Sequence, residues 1–174
     1  MVKPPGGGIT AIISGKKGEE ISIKDREIFE KSGIVGDIED YCYMSKGQFG
    51  DWLRKKGLKF TQIGPVKLGE EEVVSSKKIA DEALIDCKNK KIYVIENKRQ
   101  ERAGSVLEKL ETGQFKFDYW SKIARSLGME LGGFYFTVTG KYFTERVINR
   151  LSDLIEYYDT LDVKIVIIFV NYVD

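Results

Sequence analysis

A chain of 174 residues with 28 Lys and Arg against 27 Asp and Glu carries a net charge of +1 and is long enough for one domain with a hydrophobic core. It contains no histidine, which excludes a Ser-His-Asp triad, Cys-His proteolysis and His-ligated zinc and leaves catalysis to carboxylates, lysines, tyrosines or cysteines. No apolar run reaches membrane-spanning length, the Met1–Gly8 stretch lacks a signal-peptide pattern, and Cys42 and Cys87 lack metal-ligand spacing, so a cytoplasmic protein with free thiols is expected.

Residues 1–18, rich in Gly, Pro and Lys, predict a mobile arm with a short apolar piece at Ile9–Ile13. Lys24–Ser32 predicts a helix with Ile28 on its apolar side. Gln48–Lys56 predicts another, closed by Gly57. Leu58–Ile63 can be a strand, Gly64-Pro65 and Gly69 mark turns, and Val73–Ser76 is ambiguous. Two strands, 79–87 and 91–97, follow around a polar turn. Ser105 and Glu108 have the spacing of a capping box. Leu107, Leu110, Phe117, Trp120, Ala124 and Leu127 recur at helical spacing, with Gly113 as an interruption and Gly128 as the end. Phe134–Val138 reads as a strand. The stretch from Thr144 reads as a helix with Val147, Ile148, Leu151, Leu154 and Ile155 on one face, and Val163–Val170 as a buried strand. Short turns join the early strands and helices separate the later ones. This order implies an α/β (α+β) fold, a central mixed β-sheet flanked by helices.

Asp81, Glu96 and Lys98 carry the chemistry. If Asn89-Lys90 form a two-residue turn, paired positions sum to 179, placing Asp81 opposite Lys98 and Ala83 opposite Glu96. Directly paired residues, and residues two apart, share a face. The two carboxylates and the lysine then emerge on one face at one end of the hairpin, provided the loop is even. Asp86 also precedes Glu96, but in this register it pairs with Tyr93 near the turn, on the other face. Two carboxylates brought together repel unless a cation compensates. Mg²⁺ supplies that charge through oxygen ligands, and a lysine beside it can orient or deprotonate a water. That is the composition of a phosphodiester-cleaving site. The bland alternative is a surface salt bridge. The apolar run Ile92-Tyr93-Val94-Ile95 leading into the acids argues against a casual solvated face.

Basic residues surround this pattern. Lys46, Arg54, Lys55, Lys56, Lys59 and Lys67 precede it, and Lys77, Lys78, Lys88, Lys90, Lys91, Arg99 and Arg102 flank it. A basic face around an acidic site suits a polyanion. Gly6-Gly7-Gly8 and Gly15-Lys16-Lys17-Gly18 lack the spacing of a P-loop, so no nucleotide cofactor is expected.

A strand carrying Asp81, a hairpin into Val94-Ile95-Glu96-Asn97-Lys98, then a helix and a strand resembles the PD-(D/E)XK nuclease superfamily over roughly residues 47–138. Its restriction-endonuclease branch is resembled most, through Gln100 two residues past the lysine and Gly104-Ser105-Val106-Leu107-Glu108-Lys109 opening the next helix. Ala80-Asp81 stands where the family name has Pro-Asp. The resemblance implies a restriction-endonuclease-like αβββαβ core in a single nuclease domain over residues 1–174. Residues 1–45 would form an N-terminal arm and accessory helices, 47–138 the catalytic core, and 139–174 a C-terminal helix and strand. It implies Mg²⁺, for which Mn²⁺ can substitute, held by Asp81, Glu96 and the main-chain carbonyl of Asn97, with Lys98 acting on the water. Asp51 is the nearest candidate for the accessory acid that some members carry on the preceding helix, the alternative being an exposed helix acid. Gln100 and Arg102 are candidate phosphate or base contacts, with Gln114 and Lys116 further along. Tyr119 and Trp120 fit the core face of their helix better than base stacking.

The implied activity is sequence-specific cleavage of double-stranded DNA, as in a Type II restriction endonuclease. One site per chain implies a twofold homodimer. The alternatives are a structure-specific nuclease of junction-resolvase or repair type, and a non-catalytic DNA-binding protein on the same fold.

Overall fold

The computed structural model describes residues 10–16, 21–61, 73–75 and 78–173. Six strands form one mixed sheet: β1 (Thr10–Lys16), β2 (Cys42–Ser45), β5 (Glu82–Asp86), β6 (Lys91–Arg99), β7 (Glu130–Thr139) and β8 (Ile165–Val173), in the order β1-β8-β7-β6-β5-β2. β3 (Lys59–Thr61) and β4 (Val73–Ser75) pair in parallel as a separate ribbon. In the main sheet β6, β7, β8 and β1 are mutually parallel, and β5 runs antiparallel to both β6 and β2. β5 is therefore the one reversed strand. Its start lies beside the end of β6.

The helices are α1 (Arg26–Ser32), α2 (Lys46–Lys55), α3 (Val106–Leu110), α4 (Gly113–Ser126), α5 (Glu145–Asn149) and α6 (Ser152–Thr160). The larger core packs α2 to α6 on the sheet face presented by Ala83, Ile85, Val94, Phe134, Phe136, Ile165 and Ile167. The opposite face, with Leu84, Ile95, Tyr135, Val166 and Ile168, packs against α1 through Ile28 and Phe29. Adjacent strand residues alternate between these two cores, as the period of a strand requires. No described helix is long and apolar enough to cross a membrane.

Several expectations are corrected. Thr10–Lys16, within the stretch expected to be a mobile arm, is an edge strand, Thr10 pairing with Ile167 and Lys16 with Val173. The rest of that arm lies outside the described residues. The stretch after α1 holds a 3-10 turn, Ile38–Asp40, and then β2. The helical pattern from Ser105 is broken at Gly113, as expected, into α3 and α4, whereas the one from Thr144 is divided into α5 and α6. Ser105 makes no capping bond. The Val106 N–H is satisfied by the Gln100 side-chain oxygen at 2.9 Å. Lys67, Lys77 and the turn expected at Gly64-Pro65 and Gly69 lie outside the described residues.

The hairpin turn has four residues, Cys87 to Lys90, not two, because Asp86 pairs with Lys91 and Glu82 with Ile95. Asp86 sets its length. Its carboxylate accepts the Asn89 N–H at 3.0 Å and the Asn89 side-chain amide at 2.8 Å, and these bonds hold it below the ordinary carboxylate range. Lys90 closes the turn in the left-handed region at φ 53. Asp86 thus ends β5 and anchors the turn. Pairs now sum to 177, so Asp81 projects opposite Glu96, not Lys98. A shift of two leaves every side chain on its expected face.

Tyr158 ties α6 to the α3–α4 junction. Its buried hydroxyl donates to the Leu110 carbonyl and accepts the Gly113 N–H at 2.9 Å. A Cβ on Gly113 would lie 2.6 Å from that oxygen. Burial pushes the hydroxyl up to about 12 from 10.0, against the lowering effect of the Gly113 bond. The folded state favours the protonated phenol. This stabilisation is complete below about pH 10 and is lost as pH rises towards 12. Tyr158→Phe should cost about 1–3 kcal/mol in urea denaturation at neutral pH by orphaning two backbone groups. Unchanged stability there would remove this bridge as a structural tie.

Candidate active site

The site forms where β5 begins and β6 ends. Asp81 is the last residue before β5, and Glu96 and Lys98 lie on the same sheet face, towards α4. All three line one open cleft of about 200 Å³, together with Lys46, Lys78, Ile79, Phe115, Lys116, Tyr119 and Trp120.

Glu96 is 8% exposed and bonds two lysines through the same oxygen, Oε2. Lys98 Nζ lies at 2.8 Å and Lys116 Nζ, in the first turns of α4, at 2.5 Å. Burial pushes the Glu96 carboxyl up. The hydrogen bonds and charges of Lys116 and Lys98 together outweigh burial, so the net shift is downward. The cation that two neighbouring carboxylates demand is here supplied by lysines.

Asp81 Oδ2 accepts the main-chain N–H of Asn97 at 2.9 Å. This bond continues the β5 side of β6 beyond the start of β5. The N–H and C=O of one strand residue leave by the same edge, so the Asn97 carbonyl is directed to the Asp81 side. The Asn97 side chain is on the other face. There it donates to the Ile21 carbonyl at 3.2 Å and to Glu82 Oε2 at 3.3 Å and accepts from the Thr137 hydroxyl. Buried Glu82 also accepts from the Ser22 hydroxyl, Tyr43 Oη at 2.7 Å and the Ile23 N–H at 3.3 Å. That network holds the end of β6 from behind.

The remaining expected residues fall elsewhere. Asp51 is exposed, pairs with Arg54 at 3.0 Å and does not line the cleft; α2 reaches it through Lys46. Gln100 is buried, with its oxygen on Val106 and its amide nitrogen unpartnered, so it does not present a surface contact. It sits under Gly140, whose φ of 116 and absent Cβ allow the Gln100 carbonyl to approach. Arg102 is exposed outside the cleft, and Gln114 pairs with Asp118 at 3.1 Å. Trp120 is core, 2% exposed, while Tyr119 is half-buried on the cleft wall. Lys46 and Lys78, expected as part of the basic surround, and Phe115, which sequence reasoning did not single out, are also cleft residues. Their positions carry no local signal, because the cleft joins four separate segments.

Two carboxylates and one main-chain carbonyl are the oxygens the site offers a cation. Among the described residues no group of three or more His, Cys, Asp or Glu gathers as a metal cluster. Among described residues, both lysine bonds on Glu96 and the main-chain bond on Asp81 leave the second oxygen of each carboxylate unbonded. Comparison with protein-family models, with curated proteins and with solved structures finds no match.

Glu96→Gln should lower stability by about 1.5–3 kcal/mol at neutral pH in chelator, since it replaces the carboxylate that two lysines share with a neutral amide. The depressed Glu96 value contributes stability that is present above the ordinary carboxyl value of 4.5 and lost as pH falls through the folded one. The wild type should therefore lose its advantage over the variant in urea titrations carried below pH 4.5. Parallel profiles down to pH 3 would contradict the ion-pair role.

Proposed function

We propose that this chain is a Mg²⁺-dependent endonuclease cleaving double-stranded DNA on a restriction-endonuclease-like core. The observation that carries the reading is the convergence of Asp81, Glu96 and Lys98 in one lysine-rich cleft at the open end of the β5–β6 hairpin. Four lysines face two carboxylates there, a balance suited to a phosphodiester.

The donor set fits Mg²⁺, which binds through one or two carboxylates and keeps several waters for substrate phosphate. Asp81, Glu96 and the Asn97 carbonyl would hold it, and when bound it supplies Lewis-acid stabilisation of the phosphate. Lys98, held 2.8 Å from Glu96 as its ion-pair partner, would orient the attacking water. Lys116 and Lys46 draw the phosphate backbone in. The Glu82–Asn97 network keeps the carbonyl and N–H of Asn97 aimed at the Asp81 edge. A twofold homodimer would bring one such cleft to each strand of a duplex.

Incubation with plasmid DNA, with and without Mg²⁺, tests the activity. Defined bands support a site-specific enzyme of restriction type; cutting confined to branched DNA supports a junction-resolvase or repair enzyme instead. Asp81→Ala and Glu96→Ala should each abolish cutting, and retained turnover in either at normal Mg²⁺ would reject that residue as essential. Lys98→Ala should cut poorly yet still bind DNA in Ca²⁺.

DNA affinity should fall steeply with salt, with a log–log slope of about −0.9 per phosphate neutralised. With about five phosphates contacted, a fourfold rise in salt weakens binding roughly 500-fold. Affinity that stays flat in a salt titration would remove the polyanion reading.

A further inference from the structure

Among the described residues Phe115 is one of three large apolar side chains left exposed, with Val35 and Tyr157, and of these it alone lines the cleft. The core line of α4 is Gly113, Phe117, Trp120, Ile123 and Ala124. Phe115 lies off that line, with Tyr119 one turn further along the same side. Phe115 is 59% exposed, so burial does not explain its position. Lys78 Nζ lies 4.7 Å from the Phe115 ring centre and 4.9 Å from that of Tyr119. An ammonium is thereby fixed beside two aromatic rings at the edge of the cleft that holds Asp81 and Glu96.

We propose that Phe115, with Tyr119 and Lys78, is a stacking platform for one unpaired base, whose adjoining phosphate lies among Lys46, Lys78, Lys98 and Lys116. The inference rests on the nucleic-acid reading of the cleft and adds the conformation of the nucleotide it takes. A nucleotide combines a π-face with an anion, and this wall combines the exposed Phe115 ring with four lysines. A small anion would use the lysines and leave the exposed Phe115 ring in water. A base inside a duplex has both faces covered by its neighbours. It reaches Phe115 only when extruded, or when a bulge or branch already leaves it unpaired.

The test measures binding in Ca²⁺ by fluorescence anisotropy with three probes: a paired duplex, the same duplex with a one-nucleotide bulge, and that bulge made abasic. Wild type should bind the base-bearing bulge roughly 5- to 140-fold more tightly than the abasic one, the worth of stacking one base. Phe115→Ala should erase the preference and Phe115→Trp should keep it, with circular dichroism confirming that both variants fold. Sensitivity of the paired duplex to Phe115→Ala indicates extrusion from a duplex; insensitivity indicates a base already unpaired. Equal binding of the two bulges by wild type, a preference that survives Phe115→Ala, or no binding of any probe overturns the platform. Base-dependent binding by a wild type that leaves all DNA uncut in Mg²⁺ retires the nuclease reading and keeps this one. Cutting that is indifferent to the bulged base and to Phe115→Ala does the reverse.

Discussion

The pairing of β5 with β6 is the constraint on which the site depends. One reversed strand in an otherwise parallel sheet brings the start of β5 to the end of β6. Asp81 and Glu96 are fifteen residues apart in sequence and become neighbours for that reason alone. Asp86 governs the pairing from the far end. Its two bonds to Asn89 hold a four-residue turn, and an even turn keeps Asp81 on the face of Glu96 and Lys98. A turn one residue longer or shorter would send Asp81 to the α1 side of the sheet.

The electrostatics of the cleft follow from burial. Glu96 sits where the apolar run of β6 reaches the surface, and a carboxylate there loses solvation. Lys98, two residues on along the same face, compensates locally. Lys116 compensates from across the sheet–helix interface, because Phe117 and Trp120 dock α4 on the larger core and bring its first turns over β6. Packing of an apolar helix face thus delivers a charge to the acid. The same docking leaves Phe115 and Tyr119 on the wall of the cleft.

The two faces of the sheet divide the work at the end of β6. Glu96 and Lys98 present a carboxylate and an ammonium to the cleft. Asn97 between them points the other way, into the hydrogen bonds of Glu82, Thr137 and the Ile21 carbonyl. Buried polar groups that are fully bonded hold backbone in one position. Here that position is the one in which the Asn97 N–H meets Asp81.

The β runs around the polar turn of β5 and β6, the helical spacing from Leu107 to Leu127 and the apolar run into β8 are local patterns, and they were legible in the sequence together with the mixed sheet and the shared face of Asp81, Glu96 and Lys98. Parity is a local property, so it survived an error of two residues in register. What only the tertiary structure decided required contacts between distant segments. β1 pairs with β8 from the opposite end of the chain, and Lys116 reaches Glu96 from a helix beyond it. Lys46, Lys78 and Phe115 join one cleft because α2, the segment before β5 and α4 pack on a common sheet face. Spacing along a chain specifies which face a side chain occupies. Which other segment it meets there is settled by how the apolar faces of the helices share the sheet.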